Sequence, residues 1–167
     1  MKILQRSKNI ILAGAVFFIL FSATRVGAVN FSDSISFYVD ENFDASARSQ
    51  ITATLVKTAP GLYFYIEKNW WDSQLPAKQS EIIYSIDNLS TEFHNKIYPT
   101  LTSVFGYEWK PGVDGDEKIT VLFHPMKEGA GGYFREADEY LKLQTSDSNE
   151  REMLYLPTGQ IESPEMK

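Results

Sequence analysis

The chain has only two imidazoles, His94 and His124, and no cysteine, so metal-ligand, thiol and general-base chemistry has few places to start. Neither histidine belongs to a HExxH pattern, which sets two imidazoles one helical turn apart to grip one metal ion. His94 falls on a helical stretch beside Phe93. The positions three and four residues away, Ser90, Thr91, Ile97 and Tyr98, offer no good zinc ligand, and His94 reads as a flanking, partly exposed helix histidine. His124 ends a strand-like run and precedes Pro125. Strand ends adjoin the loops that carry sites, but local spacing supplies no acidic partner, so functional and structural roles both stay open for it.

Other constellations are weaker. Asp114-Gly115-Asp116-Glu117 has the carboxylates a hard cation wants, yet glycine falls between the first two acids and the twelfth position is Pro125, so the spacing is that of a turn and not of a calcium loop. Gly129-Ala130-Gly131-Gly132 lacks the GK[ST] ending of a phosphate loop. Its paired glycines before Tyr133-Phe134 predict a backbone that runs close to a neighbouring strand or an extended ligand. Trp70-Trp71 with Tyr63, Phe64 and Tyr65 could form a sugar-stacking platform, against the plainer reading of core aromatics with one exposed tryptophan.

The elements that must hold these residues can be read from period and punctuation. Ile35–Val39 is a strand ending at Asp40-Glu41-Asn42. Ile51–Val56 and Leu62–Ile66 flank Pro60-Gly61, which predicts an antiparallel hairpin. After Pro76, Ile82, Ile83, Ile86, Leu89, Phe93 and Ile97 form one apolar stripe, a helix of about five turns expected to end before Pro99. A short helical turn capped by Gly106 follows, then the strand Lys118–Phe123, the glycine-rich loop, and a last strand Met153–Leu156. The class is α+β, or mixed α/β.

Residues 1–28 stand apart. Lys2, Arg6 and Lys8 precede an apolar run from Ile10 to Phe21, shorter than the about 20 residues a membrane-spanning helix needs, and Val26-Gly27-Ala28 offers a signal-peptidase site. Cleavage after Ala28 and export to the cell envelope or beyond are expected, with an uncleaved anchor as the alternative. The segment holds four of the 16 basic residues and no acid, so the remainder carries a net charge of −10. That surface repels nucleic acid and anionic lipid, which leaves the signal segment as the one expected membrane contact. With no cysteine, stability must come from a packed core rather than disulfides.

Five stretches together resemble the N-terminal portion of hyicolysin-like exported bacterial zinc metallopeptidases: Phe43–Trp71, Phe93–Gly106, Asp114–Met126 (DGDEKITVLFHPM), Ala130–Tyr140 (AGGYFREADEY) and Asn149–Leu156 (NEREMLYL). The resemblance implies that residues 29–167 are the incomplete N-terminal part of a zincin-like peptidase domain, with strands of its sheet. It also implies a HExxH helix shortly after the last strand, whose zinc ion would activate water. No catalytic or metal-ligating residue of that pattern stands in this chain, so the segment is expected to be inactive alone, with zinc belonging to a full-length parent. Ser163 as N-cap and Pro164 at the first helical position prepare such a helix, and interruption of the chain there is the expectation.

Zincins hold an extended polypeptide substrate against a sheet edge. Gly131, Gly132, Tyr133 and Phe134 are similar to the segment bordering that cleft, which makes them the candidate substrate-binding residues. In the full-length enzyme Gly132→Val is then expected to raise KM or abolish cleavage without unfolding the protein. If a missing helix covers the sheet of Lys118–Phe123 and Met153–Leu156, its apolar face is expected to be exposed here. The competing reading is an exported, non-enzymatic module that binds peptide or glycan.

Overall fold

The computed structural model describes residues 34–162; the signal-like segment and the expected cap at Ser163 lie outside them. Strand β1 (Ser34–Tyr38) pairs antiparallel with β2 (Gln50–Ala59), and β2 with β3 (Leu62–Glu67). The hairpin forms where Pro60-Gly61 predicts it. Ala59 faces Leu62, and Gly61 adopts φ 71°, a left-handed conformation glycine takes without a Cβ penalty.

A helical crossover leads from β3 to β4 (Ile119–His124), which lies parallel to it, and β5 (Met153–Pro157) lies parallel to β4. The five strands sit in chain order, so this is an α+β fold with an antiparallel half and a parallel half. The crossover comprises α1 (Lys68–Asp72), α2 (Pro76–Glu92), a π-helical turn at Phe93–Ile97, and α3 (Tyr98–Phe105). Helix α1 has no apolar period to announce it. It starts because the Glu67 carboxylate caps it, accepting from the Trp70 amide at 2.6 Å.

The helix does not stop before Pro99. Tyr98 N–H bonds Phe93 C=O in the wider π register, and the extra residue shifts the carbonyl that the proline ring would otherwise strike. Pro99 then occupies the first turn of α3, where a missing N–H costs nothing.

Two cores fill the faces of the sheet. Ile82 and Ile86 of α2 pack on Phe64, Ile66, Val121 and Phe123, each full burial stabilising by roughly 1.5–3 kcal/mol. Trp70 and Trp71, both partly buried, pack against this core. On the other face Phe37, Ile51, Tyr65, Leu122, Met153 and Tyr155 cluster, with Met126 and Tyr133 of the long β4–β5 connection laid over them. The sheet is therefore covered on both sides, contrary to the exposed apolar face expected. The connection supplies the second layer, and of β4 and β5 only Leu154, at 38%, is exposed.

A short helix, α4 (Gly159–Glu162), follows β5. Ile161 of α4 joins the α2-side core, and the Thr158 amide bonds the His124 carbonyl, which ties helix entry directly to the end of β4.

Candidate functional site

The glycine-rich loop comes to rest on the free edge of β5. Tyr133 bridges Tyr155 antiparallel, donating its N–H to the Tyr155 carbonyl at 3.0 Å and accepting the Tyr155 N–H at 2.9 Å. In an antiparallel pair successive residues turn their backbone groups to opposite sides. Those of Gly132 and Phe134 therefore face away from the sheet, and no described residue bonds them. Gly132 makes the approach possible. It has φ 132°, and a Cβ there would sit 2.8 Å from the Tyr155 carbonyl oxygen. Phe134 is 70% exposed and lines a groove of about 180 Å³ with Leu154, Glu139, Glu152, Glu108 and Ile119.

Tyr133 is also held through its side chain. Its ring stacks between Phe43, at 4.6 Å, and Tyr155, at 4.4 Å. Its hydroxyl accepts the Asp40 amide at 3.1 Å and lies 3.3 Å from His124 Nε2. His124 is fully buried, and its Nδ1 lies 3.2 Å from Oδ2 of equally buried Asp44.

Protonation states follow from the partners. Burial of Asp44 would raise its pKa, but hydrogen bonds from the Arg48 side chain and from the Arg48 and Ser46 amides, with the guanidinium charge, outweigh it and hold Asp44 at about 2. An ionised carboxylate only accepts, so Nδ1 of His124 carries the proton and Nε2 accepts from the Tyr133 hydroxyl. Burial, helped by the nearby Arg48 charge, pushes the His124 pKa down against the pull of Asp44, and burial raises that of Tyr133. The array is a neutral histidine between an anchored carboxylate and a phenol. Arg48 continues it to buried Glu67 at 2.8 Å, so the network spans from the cap of α1 to the loop.

A second buried network fixes Tyr155. Its hydroxyl donates to Asp138 Oδ2 at 2.5 Å and accepts from Asn149 Nδ2 at 2.8 Å. Asn149 also donates to the Tyr38 carbonyl and accepts the Tyr38 amide. A 3-10 turn, Glu136–Glu139, carries Asp138 inward, and Arg135 pairs with it. Burial raises the Asp138 pKa even so.

Of the residues singled out in the sequence, Gly131–Phe134 and His124 meet here. Asp114–Glu117 forms a turn, with the Asp116 amide bonded to Asp114 Oδ1 at 2.9 Å. His94 is exposed on the π turn, away from His124. Both His124 nitrogens are engaged, by Asp44 and Tyr133, and among the described residues no group of three or more His, Asp or Glu could hold a metal. Sequence reasoning missed Asp44, 80 residues before its histidine. The local signal was the pair Asp44/Arg48 at helical spacing, which the structure closes at 2.8 Å. No protein-family model matches the chain, and no curated protein matches it.

Proposed function

We propose that this chain supplies the sheet and the edge-strand lip of a peptide-binding cleft, as the non-catalytic N-terminal segment of an exported, hyicolysin-like zinc metalloendopeptidase. One observation carries the cleft: the Gly131–Phe134 segment bridges the outer edge of β5 antiparallel at Tyr133, with the backbone groups of Gly132 and Phe134 facing outward and bonded by no described residue. Such an edge accepts an extended peptide as an added strand, with main-chain bonds giving affinity and side-chain pockets giving specificity. The peptidase assignment is supported by the sequence resemblance, and zinc would belong to residues outside this set.

The test is a titration of the ¹⁵N-labelled chain with an acetylated hexapeptide of alternating valine and tyrosine. The amides of Gly132 and Phe134 should shift, and N-methylation of alternate peptide nitrogens should abolish the effect. Silence at these two amides up to millimolar peptide sinks the cleft. The peptidase part is tested on the gene: a reading frame continuing past Lys167 into a HExxH helix supports it, and an in-frame stop directly after Lys167 counts against it.

A further inference from the structure

The π turn builds a pocket that the lip does not use. In an α-helix residues five apart point about 140° from one another, but the wide turn brings Phe93 and Tyr98 to one side, with ring centroids 5.6 Å apart. With Pro60, Pro99 and Ile119 they wall a cavity of about 340 Å³, within the size range of ligand sites. One polar cluster converges on it. The Tyr98 hydroxyl donates to Glu108 at 2.9 Å, Lys110 pairs with Glu108 at 3.0 Å, and the Lys110 ammonium stands 5.0 Å over the Tyr98 ring. His94 forms an exposed rim.

This pocket and the groove beside Phe134 have Glu108 and Ile119 as common walls at the start of β4. We propose that the pocket is an aromatic subsite that takes the phenol or indole of a polypeptide lying along the lip. This rests on the cleft reading above and names the side chain it selects.

The walls choose the class. Rings and proline faces favour a flat apolar body, and offset or edge-on packing against Phe93 and Tyr98 is the favoured geometry for another ring. The Glu108 carboxylate has lone pairs beyond those used by Tyr98 and Lys110, so a tyrosine O–H or tryptophan N–H can donate to it. An aliphatic side chain leaves that acceptor covered and without a new donor. Lysine or arginine meets the Lys110 ammonium, and an acid meets Glu108.

The experiment uses two probes on the full chain and on His94→Trp, a rim substitution that fills the mouth. The first probe is N-acetyl-tyrosinamide, with N-acetyl-leucinamide as control. The tyrosine amide should shift the Tyr98, Glu108 and Ile119 resonances, the leucine amide should not, and His94→Trp should weaken the effect at least tenfold. The second probe is a peptide series with one backbone that carries tyrosine, leucine or alanine at each position in turn beyond the one paired with Phe134. Tyrosine should bind about tenfold tighter than leucine to the wild type and equally to His94→Trp. Peptides that bind at Gly132 without regard to that side chain overturn the subsite and leave the lip intact. Tyrosine amide in the pocket with no peptide at Gly132 overturns the lip and keeps the subsite. No shift from the amide, or stronger shifts of the same residues by chitotriose, overturns the aromatic assignment.

Discussion

Replacing Gly132 by valine tests how the lip is seated. A Cβ built there lies 2.8 Å from the Tyr155 carbonyl oxygen and 2.9 Å from Leu156 Cδ2, and the residue holds φ 132°. The leucine tip can swing aside. The carbonyl cannot, because it accepts the Tyr133 N–H at 3.0 Å and belongs to a strand in register with β4. A strained left-handed conformation costs on the order of 1–3 kcal/mol, and overpacking adds about 1–3 kcal/mol. The sum, about 2–6 kcal/mol, lowers Tm by roughly 8–24 °C at about 4 °C per kcal/mol for a domain of this size. The substitution therefore destabilises the fold as well as distorting the proposed lip, so its effect on binding has to be read beside its melting temperature. Calorimetry of Gly132→Val beside Gly131→Ala makes the comparison, since Gly131 has open space around its Cβ position and should stay within about 0.5 kcal/mol of wild type. Equal melting of all three proteins would refute the close-approach argument.

Two further outcomes follow from the same residues. Because the His124 pKa is lowered on folding, the unfolded chain binds its proton first; this contribution to stability is complete above the ordinary value of 6.5 and is lost as pH falls from there through the folded value. Urea midpoints should drop between pH 7 and pH 5, and His124→Gln should flatten that slope; an unchanged slope in the variant is the contrary result. Phe134→Ala, at a 70% exposed position, should shift stability by no more than about 0.5 kcal/mol while weakening peptide binding in the titration above, and unaltered affinity would remove Phe134 from the cleft.

Much of the scaffold was legible because its signals are local. Pro60-Gly61 between two β-branched, aromatic runs gave the hairpin, the Ile82/Ile86 stripe gave α2, and the branched and aromatic run Ile119–Phe123 gave β4. The misses share a cause: each depends on a partner that sequence distance hides. Helix α1 needs the Glu67 side chain as cap, passage through Pro99 needs a π register, and the Glu136–Glu139 turn follows from Asp138 reaching the Tyr155 hydroxyl. The same holds at the site. The glycine pair before Tyr133 signalled a close backbone approach, but nothing near His124 pointed to Asp44, and nothing near Tyr133 pointed to a hydroxyl bond with a histidine nine residues earlier.

Those distant partners explain how a segment outside any regular strand can act as a wall. Tyr133 is fixed by its backbone on Tyr155, by its ring between Phe43 and Tyr155, and by its hydroxyl on Asp40 and His124. Tyr155 is fixed in turn by Asp138 and Asn149, and Asn149 holds β1 at Tyr38. Two buried polar networks thus meet at one stacked pair of rings, and deleting a member leaves a buried group unsatisfied, at about 1–3 kcal/mol for a neutral one. Binding an extended peptide normally requires ordering both surfaces, with a cost of about 0.5–1.5 kcal/mol for each immobilised side chain. In the proposed cleft these contacts already order the protein side, so the entropic cost of pairing at Gly132 and Phe134 would fall on the peptide alone.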